Sequence, residues 1–268
     1  MDANIPVVTS VLPTTTPAQT APAPATPTAA YPSPAPLRSG AINIITIGDD
    51  FTRGDGDDLG RGYPGRLLEL VSQIRPDSSV TNFAQSGWTS DELINGEGDF
   101  SGQLERALDE VDSVTLQGRA AVVLVWVGGN DLWELYTGKA DITVDQEEQD
   151  AQRFSENIDA ILFNLRKSGA EVVIAQLDDQ AKRPALTRSE TYPDITADEL
   201  IRMSMQVQRY NEIISEKADA YNALTVDFYN TDIFIQPTTL AADGFHPNAA
   251  GYDLIAQAWY KALIKILP

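Results

Sequence analysis

The chain has 268 residues, with 39 acidic and 19 basic side chains and a formal net charge of −20 at pH 7. Because a polyanion gains affinity mainly from Lys and Arg, this excess of acid argues against nucleic acid or an anionic membrane as a partner. Cysteine is absent, which excludes disulfides, thiolate metal sites and a cysteine nucleophile. The single histidine, His246, excludes a multi-histidine metal centre.

Residues 1–38 hold nine of the 16 prolines and only two charged side chains, Asp2 and Arg38. This composition predicts a disordered Pro/Thr-rich linker, followed by one domain over residues 39–268. The apolar run 5–12 is too short for a signal peptide or a membrane span. Because such linkers hold domains off surfaces, we expect an extracellular or cell-surface protein, with a cytoplasmic location as the alternative.

From residue 41 onward, short apolar runs alternate with longer amphipathic segments. The predicted strands cover 42–48, 80–84, 121–128, 171–177 and 223–228. The predicted helices cover 63–74, 102–112, 154–169, 199–221 and 249–267. This alternation predicts an α/β fold with a mostly parallel five-stranded sheet covered on both faces. Ligands of such sheets bind beyond the carboxyl ends of the strands, so the residues that follow each strand are the candidates for a site.

Four turns at this predicted edge carry small, amide or acid–base residues. They are Gly48-Asp49-Asp50-Phe51, Gln85-Ser86-Gly87, Gly128-Gly129-Asn130-Asp131 and Asp243-Gly244-Phe245-His246. Asp243 can orient one ring nitrogen of His246 and leave the other free to act. Gly87 permits a close backbone approach, and Asn130 is a neutral donor for developing negative charge.

In order and spacing, these blocks resemble those of the SGNH (GDSL) hydrolase family over essentially the whole of residues 41–268. The resemblance implies a flavodoxin-like three-layer α/β/α sandwich. It also implies a monomeric carboxylic ester hydrolase for short acyl or acetyl groups, including those on carbohydrate, without cofactor or metal. His246 would be the base and Asp243 its orienting acid. The oxyanion hole would comprise the backbone N–H of Asp50, the backbone N–H of Gly87 and the Asn130 amide.

Asp50 occupies the position at which the family has its serine nucleophile. A carboxylate has no proton to give to His246, and it would form an ion pair that favours imidazolium. It would also point toward Gly87 and Asn130 and occupy the oxyanion donors. We therefore expect ester hydrolysis by this chain to be impaired.

Three interpretations of Asp50 stay open at this point. The chain is an otherwise competent esterase altered at one position, or a non-hydrolysing relative that binds an acyl or carbohydrate ligand. In the third, the Asp50 carboxylate is itself the nucleophile, toward an alkyl carbon. Ser86 is the serine nearest the oxyanion donors and a weak substitute for the missing nucleophile.

Other polar residues near these turns have simpler structural interpretations. Asp49 and Asp131 are expected to order their turns. The aspartates at 55, 57 and 58 are expected in a solvated loop beside the cleft. They do not fit a calcium loop, because Leu59 and Arg66 stand where an EF-hand needs ligands.

The remaining expectations concern acidic, aromatic and polar segments. The acidic residues of 145–150 predict an exposed face and the first turn of a helix. Trp126 is predicted to lie in the core, whereas Trp88 and Trp133 fit the core or a pocket wall equally. The polar segment 178–200 is a candidate lid or an inert surface loop.

Overall fold

A computed structural model describes residues 1, 37, 39–137, 142–187 and 195–267. Most of the linker predicted for residues 1–38 lies outside these ranges. Leu37, at its end, packs against the core, and its backbone N–H donates to the Ile266 carbonyl at 2.7 Å. Within the described ranges, no helix combines the length and the apolar character needed to cross a bilayer.

The sheet has five strands, all of them parallel, in the order β2-β1-β3-β4-β5. The strands are β1 (Ile42–Gly48), β2 (Ser79–Asn82), β3 (Ala120–Trp126), β4 (Glu171–Ala175) and β5 (Leu224–Val226). All seven residues of β1 are buried, as expected for a central strand covered on both faces. The predicted fold class is confirmed, with strand ends that differ from the prediction by at most two residues.

Helices cover both faces of this sheet. They are α1 (Asp50–Arg53), α2 (Gly62–Ser72), α3 (Ser90–Asn95), α4 (Gln103–Leu116), α5 (Gly129–Tyr136), α6 (Val144–Lys167), α7 (Pro184–Thr187), α8 (Ala197–Tyr221) and α9 (Ala249–Leu263). Helices α2 and α9 pack together on one face, while α4, α6 and α8 pack in series on the other. The molecule is therefore the three-layer α/β/α sandwich that the resemblance implied.

Helix α6 begins ten residues before the start that apolar periodicity predicted, which was residue 154. The Thr143 hydroxyl accepts from the Gln146 backbone N–H at 3.2 Å, and the Gln146 side chain accepts from the Thr143 N–H at 2.9 Å. This reciprocal cap satisfies free N–H groups of the first turn and starts the helix in a polar stretch.

The acidic run 145–150 lies in the first turns of α6, as predicted. The prediction that it forms an exposed face was wrong for two of its members, Glu147 and Asp150. Glu147 accepts from Arg202 Nε at 2.9 Å. Asp150 is 8% exposed and accepts from the Tyr210 hydroxyl. Both carboxylates therefore tie α6 to α8.

Trp126 is 1% exposed, which confirms its predicted place in the core. Its ring stacks on Phe228 with centroids 4.3 Å apart and meets Trp259 of α9 at 6.2 Å. Phe51, the residue after Asp50, contacts the same indole edge-on at 5.3 Å. Aromatic packing thus anchors the start of α1 to the core.

Asp57 lies in a buried ion pair, so the solvated loop expected around it was wrong at this residue. Arg66 of α2 donates from Nη1 to Asp57 Oδ2 at 2.6 Å and from Nη2 to Oδ1 at 3.1 Å. Backbone N–H groups of Leu59, Arg61 and Gly62 donate to the same carboxylate. Burial would raise the pKa of Asp57, but these hydrogen bonds outweigh it and lower the pKa to about 2.

We expect Asp57→Asn to lower the free energy of unfolding at pH 7 by about 3 kcal/mol, because the Arg66 guanidinium loses its buried partner. The native pKa lies below the unfolded value, so this stabilisation is present above about pH 4 and is lost as the pH falls toward 2. The gap between the unchanged chain and the variant should then shrink by about 2 kcal/mol in urea unfolding measured across this range. Asp58→Asn, at an exposed neighbour, is the control and should change stability little. A gap that stays constant with pH would contradict the assignment.

Candidate active site

Asp50 opens α1 directly after β1, and its carboxylate lies between two neutral donors. The Gly87 backbone N–H donates to Oδ1 at 2.8 Å, and Asn130 Nδ2 donates to Oδ2 at 2.9 Å. Asn130 Nδ2 also donates to the Trp88 carbonyl at 3.2 Å, which fixes the orientation of the amide. Gly87 has φ +80°, a conformation that favours glycine. Both oxygens of Asp50 therefore have a hydrogen-bond partner.

His246 and Asp243 form a second unit in the loop before α9. His246 Nδ1 lies 2.7 Å from Asp243 Oδ2, and the backbone N–H groups of Phe245 and His246 donate to Asp243 Oδ1. Partial burial opposes ionisation of Asp243, but the hydrogen bonds from His246 and from these N–H groups lower its pKa. An ionised Asp243 accepts a proton-bearing Nδ1, so Nε2 is the nitrogen left to act as base or ligand.

The two units face each other across a short gap. One ligand atom each of Asp50, Asp55 and His246 lie within 4.8 Å of one another. The ion pair expected between Asp50 and His246 is not found among the ion pairs of the described residues. The oxygens of Asp50 instead accept hydrogen bonds from Gly87 and Asn130.

Asp55 lies in the loop that was expected beside the cleft, but it was not predicted as a site residue. It was expected in a solvated loop, but it is half-buried and its Oδ2 accepts from the Ser86 hydroxyl at 2.5 Å. This contact also engages the serine that precedes Gly87 in the chain. The available signal was the pair of glycines, Gly54 and Gly56, which lets the chain turn back beside the site.

Asp49 and Asp131 order their turns, as predicted. Asp49 caps α1 by accepting from the Phe51 backbone N–H at 3.2 Å. Burial and the adjacent Asp50 charge raise the pKa of Asp49 well above its usual range. Asp131 accepts from the Ser90 N–H at 2.9 Å and from its hydroxyl at 2.5 Å, while burial raises its pKa to about 6.

The first part of the segment 178–200 is packed into the protein, so the surface loop or lid expected there was wrong for residues 178–187. Arg183 is 3% exposed and donates to both oxygens of Asp178, at 2.8 and 2.6 Å. Its guanidinium lies 4.5 Å from the Phe51 ring centroid and 4.4 Å from that of Phe245. Residues 188–194 of the segment lie outside the described residues.

Arg183 therefore joins the start of α1 to the loop that carries His246. A backbone hydrogen bond from Ala185 to the Gly244 carbonyl, 3.0 Å long, supports the same contact. Trp133 is half-buried, and its ring meets Phe245 at 5.5 Å from the other direction. Trp88 is 5% exposed, so the larger part of its side chain belongs to the interior.

The profile of the GDSL-like Lipase/Acylhydrolase family matches residues 46–254. The chain is 26% identical over 233 residues to the Uncharacterized protein YpmR of Bacillus subtilis, covering 84% of this chain and 82% of that one. It is 24% identical over 245 residues to the Multidomain esterase of Ruminococcus flavefaciens. That match covers 84% of this chain but only 29% of the esterase.

Solved structures share the fold at low sequence identity. A variant of Axe2, an acetyl xylan esterase from Geobacillus stearothermophilus, superposes with a TM-score of 0.56 at 20% identity. The superposition covers 87% of this chain and 99% of that one.

Gly56 supports the His246 loop by close contact, and we expect Gly56→Ala to displace it. A Cβ at residue 56 would lie 2.6 Å from His246 Cβ and 2.7 Å from the Pro247 carbonyl oxygen. Because His246 is the single histidine, its imidazole gives one set of NMR signals, which should shift in this variant. Gly60→Ala is the matched control, since residue 60 also has a positive φ but has nothing within 4 Å of the added Cβ. Both variants should lose about 1 kcal/mol to backbone strain, and equal imidazole signals in both would contradict the contact.

Proposed function

Because the chain belongs to the GDSL-like lipase/acylhydrolase family, we propose that it is a carboxylic ester hydrolase of short acyl or acetyl groups, held at low activity by Asp50. The observation that carries this proposal is the placement of Asp50. Its carboxylate accepts from the Gly87 N–H and the Asn130 amide, while the His246–Asp243 pair stands assembled across the gap. The proposed base, its orienting acid and the oxyanion donors thus surround a carboxylate, which cannot act as a serine hydroxyl would.

In the proposed roles, His246 is the general base and Asp243 orients it. Gly87, Asn130 and the backbone N–H of residue 50 form the oxyanion hole. A hydroxyl at residue 50 would attack the acyl carbonyl and pass its proton to His246 Nε2. The imidazolium would then protonate the leaving alcohol, and water would release the acid from the acyl-enzyme by the same route.

Asp50 blocks this route in two ways. Its ionised carboxylate has no proton to transfer, and its attack on an ester would give an anhydride, which is a poor exchange for the ester bond. Its carboxylate oxygens also occupy the donors that would have to stabilise the oxyanion of the transition state, and their negative charge opposes that of the oxyanion. The activation barrier of ester hydrolysis is therefore raised both by the missing hydroxyl and by the occupied oxyanion donors.

The proposed substrate is a neutral ester, such as an acetyl group on carbohydrate. The name of the Ruminococcus flavefaciens relative, an esterase, and that of the fold neighbour from Geobacillus stearothermophilus, an acetyl xylan esterase, support this class. Charge supports it too, because a cleft bordered by Asp50, Asp55 and Asp243 repels anionic substrates. Trp133 and Phe245, in edge contact beside His246, offer an apolar wall to an acyl group or a sugar face.

The decisive test is Asp50→Ser, assayed with p-nitrophenyl acetate and with acetylated xylo-oligosaccharides. Removing the nucleophile of a serine hydrolase costs on the order of 10⁶ in kcat. Restoring a hydroxyl should therefore raise kcat/KM by at least about 10³-fold. Adding His246→Asn to this variant should abolish the gain, because the hydroxyl loses its base.

Asp50→Asn is the matched control, since it removes the charge but supplies no hydroxyl. It should leave hydrolysis as low as in the unchanged chain. An equal gain in this control would show that the charge alone limits activity and would overturn the assigned nucleophile position. A folded Asp50→Ser variant with no gain would overturn the proposed function.

A further inference from the structure

His246 has carboxylates near it besides that of Asp243, namely those of Asp50 and Asp55. This arrangement points to chemistry that a serine hydrolase does not use. We propose that Asp50, Asp55 and His246 form a binding site for a divalent first-row metal ion such as Zn²⁺. One ligand atom of each residue lies within 4.8 Å of the others. Ligand atoms of a tetrahedral ion at about 2.1 Å lie about 3.4 Å apart, so the three atoms need to approach one another by at most about 1.4 Å to complete the site.

His246 is already oriented as a metal ligand. Asp243, which is not one of the three ligands, lies 2.7 Å from His246 Nδ1 and so holds the ring in one tautomer. A histidine ligand of a metal ion characteristically donates its second ring N–H to a carboxylate in this way. The arrangement leaves Nε2 as the ring nitrogen available to an ion.

The Asp50 carboxylate is held in place without being neutralised. Its two hydrogen bonds come from the Gly87 N–H and the Asn130 amide, both of them uncharged donors. Each oxygen keeps a second lone pair, and ligating carboxylates are commonly hydrogen-bonded in this manner. These donors therefore fix the position of the ligand without supplying a counter-charge.

Asp55 is held similarly, with little competition from a cation. Its Oδ2 accepts from the Ser86 hydroxyl at 2.5 Å. In the described part of the chain, the ion pair found at these two ligand carboxylates is one long contact, 3.9 Å between Arg53 Nε and Asp55 Oδ1. The Arg53 side chain is 52% exposed, so this contact is screened by solvent. A bound cation would supply the missing counter-charge.

The donor set selects the class of ion. One imidazole and two carboxylates suit Zn²⁺ and its first-row neighbours better than Mg²⁺ or Ca²⁺, which prefer oxygen alone. The three side chains are half-buried, which leaves a fourth position open to water.

The test is isothermal titration of the EDTA-treated full chain with ZnCl₂ at physiological salt, together with thermal melts. We expect one Zn²⁺ per chain and a rise in Tm at saturation. Asp50→Asn, Asp55→Asn and His246→Asn should each weaken binding at least tenfold, and Asp243→Asn should weaken it by about 10 to 100-fold through the orientation of the ring. Asp58→Asn, an exposed acid of the same loop, should leave the affinity unchanged.

Thermal melts in EDTA show which variants remain folded. Asp50→Asn is chosen because asparagine keeps the shape of the aspartate side chain. No Zn²⁺ binding, or binding that survives both Asp50→Asn and His246→Asn, would overturn the site. A Mg²⁺ affinity that equals the Zn²⁺ affinity and is unchanged by His246→Asn would also overturn the site, since it would indicate general attraction to an acidic surface.

This inference stands apart from the ester hydrolase proposal. Zn²⁺ affinity is measured on the unchanged chain, whereas esterase activity is measured on Asp50→Ser. If both proposals hold, Asp50→Ser gains hydrolysis and loses at least tenfold in Zn²⁺ affinity. Either measurement can fail without the other.

Discussion

The parallel pairing of β1 with β2 and β3 is the constraint on which the site depends. The carboxyl ends of the three strands meet at one edge, and the ladder continues past their ends. The Phe83 N–H donates to the Thr46 carbonyl at 2.9 Å, and the Gln85 N–H donates to the Gly48 carbonyl at 3.1 Å. These bonds carry the loop after β2 alongside β1, so the Gly87 N–H reaches the side chain of Asp50. The positions of the donors are thus set by backbone geometry.

The unit that carries His246 comes from much later in the chain and needs a separate attachment. Arg183 supplies it by contacting the rings of both Phe51 and Phe245 while its charge is paired with Asp178. Cation–π contacts and a buried bidentate ion pair stabilise this attachment. A single feature, a carboxylate at residue 50 within this frame, underlies both the proposed loss of hydrolysis and the proposed metal site.

Regular elements were predictable where apolar periodicity is long. The apolar run of β1 and the amphipathic pattern of α9 were both found near their observed bounds, because burial on a fixed face leaves a regular pattern. Short helices were missed, since α1, α3 and α5 owe their starts to caps and turns. Helix α3 begins at the reciprocal cap of Thr89 and Glu92, a pattern of only four residues. The linker over 1–38 and the location outside the cell remain predictions.

By itself, the sequence determined the parallel α/β sandwich and the family, because both follow from local patterns and from the order of motifs, and it predicted that Asp50 stands at the nucleophile position. Only the tertiary structure decided which charged groups meet. It buried Asp57 against Arg66, placed Asp55 near His246 and directed hydrogen bonds from Gly87 and Asn130 to Asp50. Such contacts join loops whose paths depend on hydrogen bonds to distant strands, and spacing along the chain does not encode the distance between them.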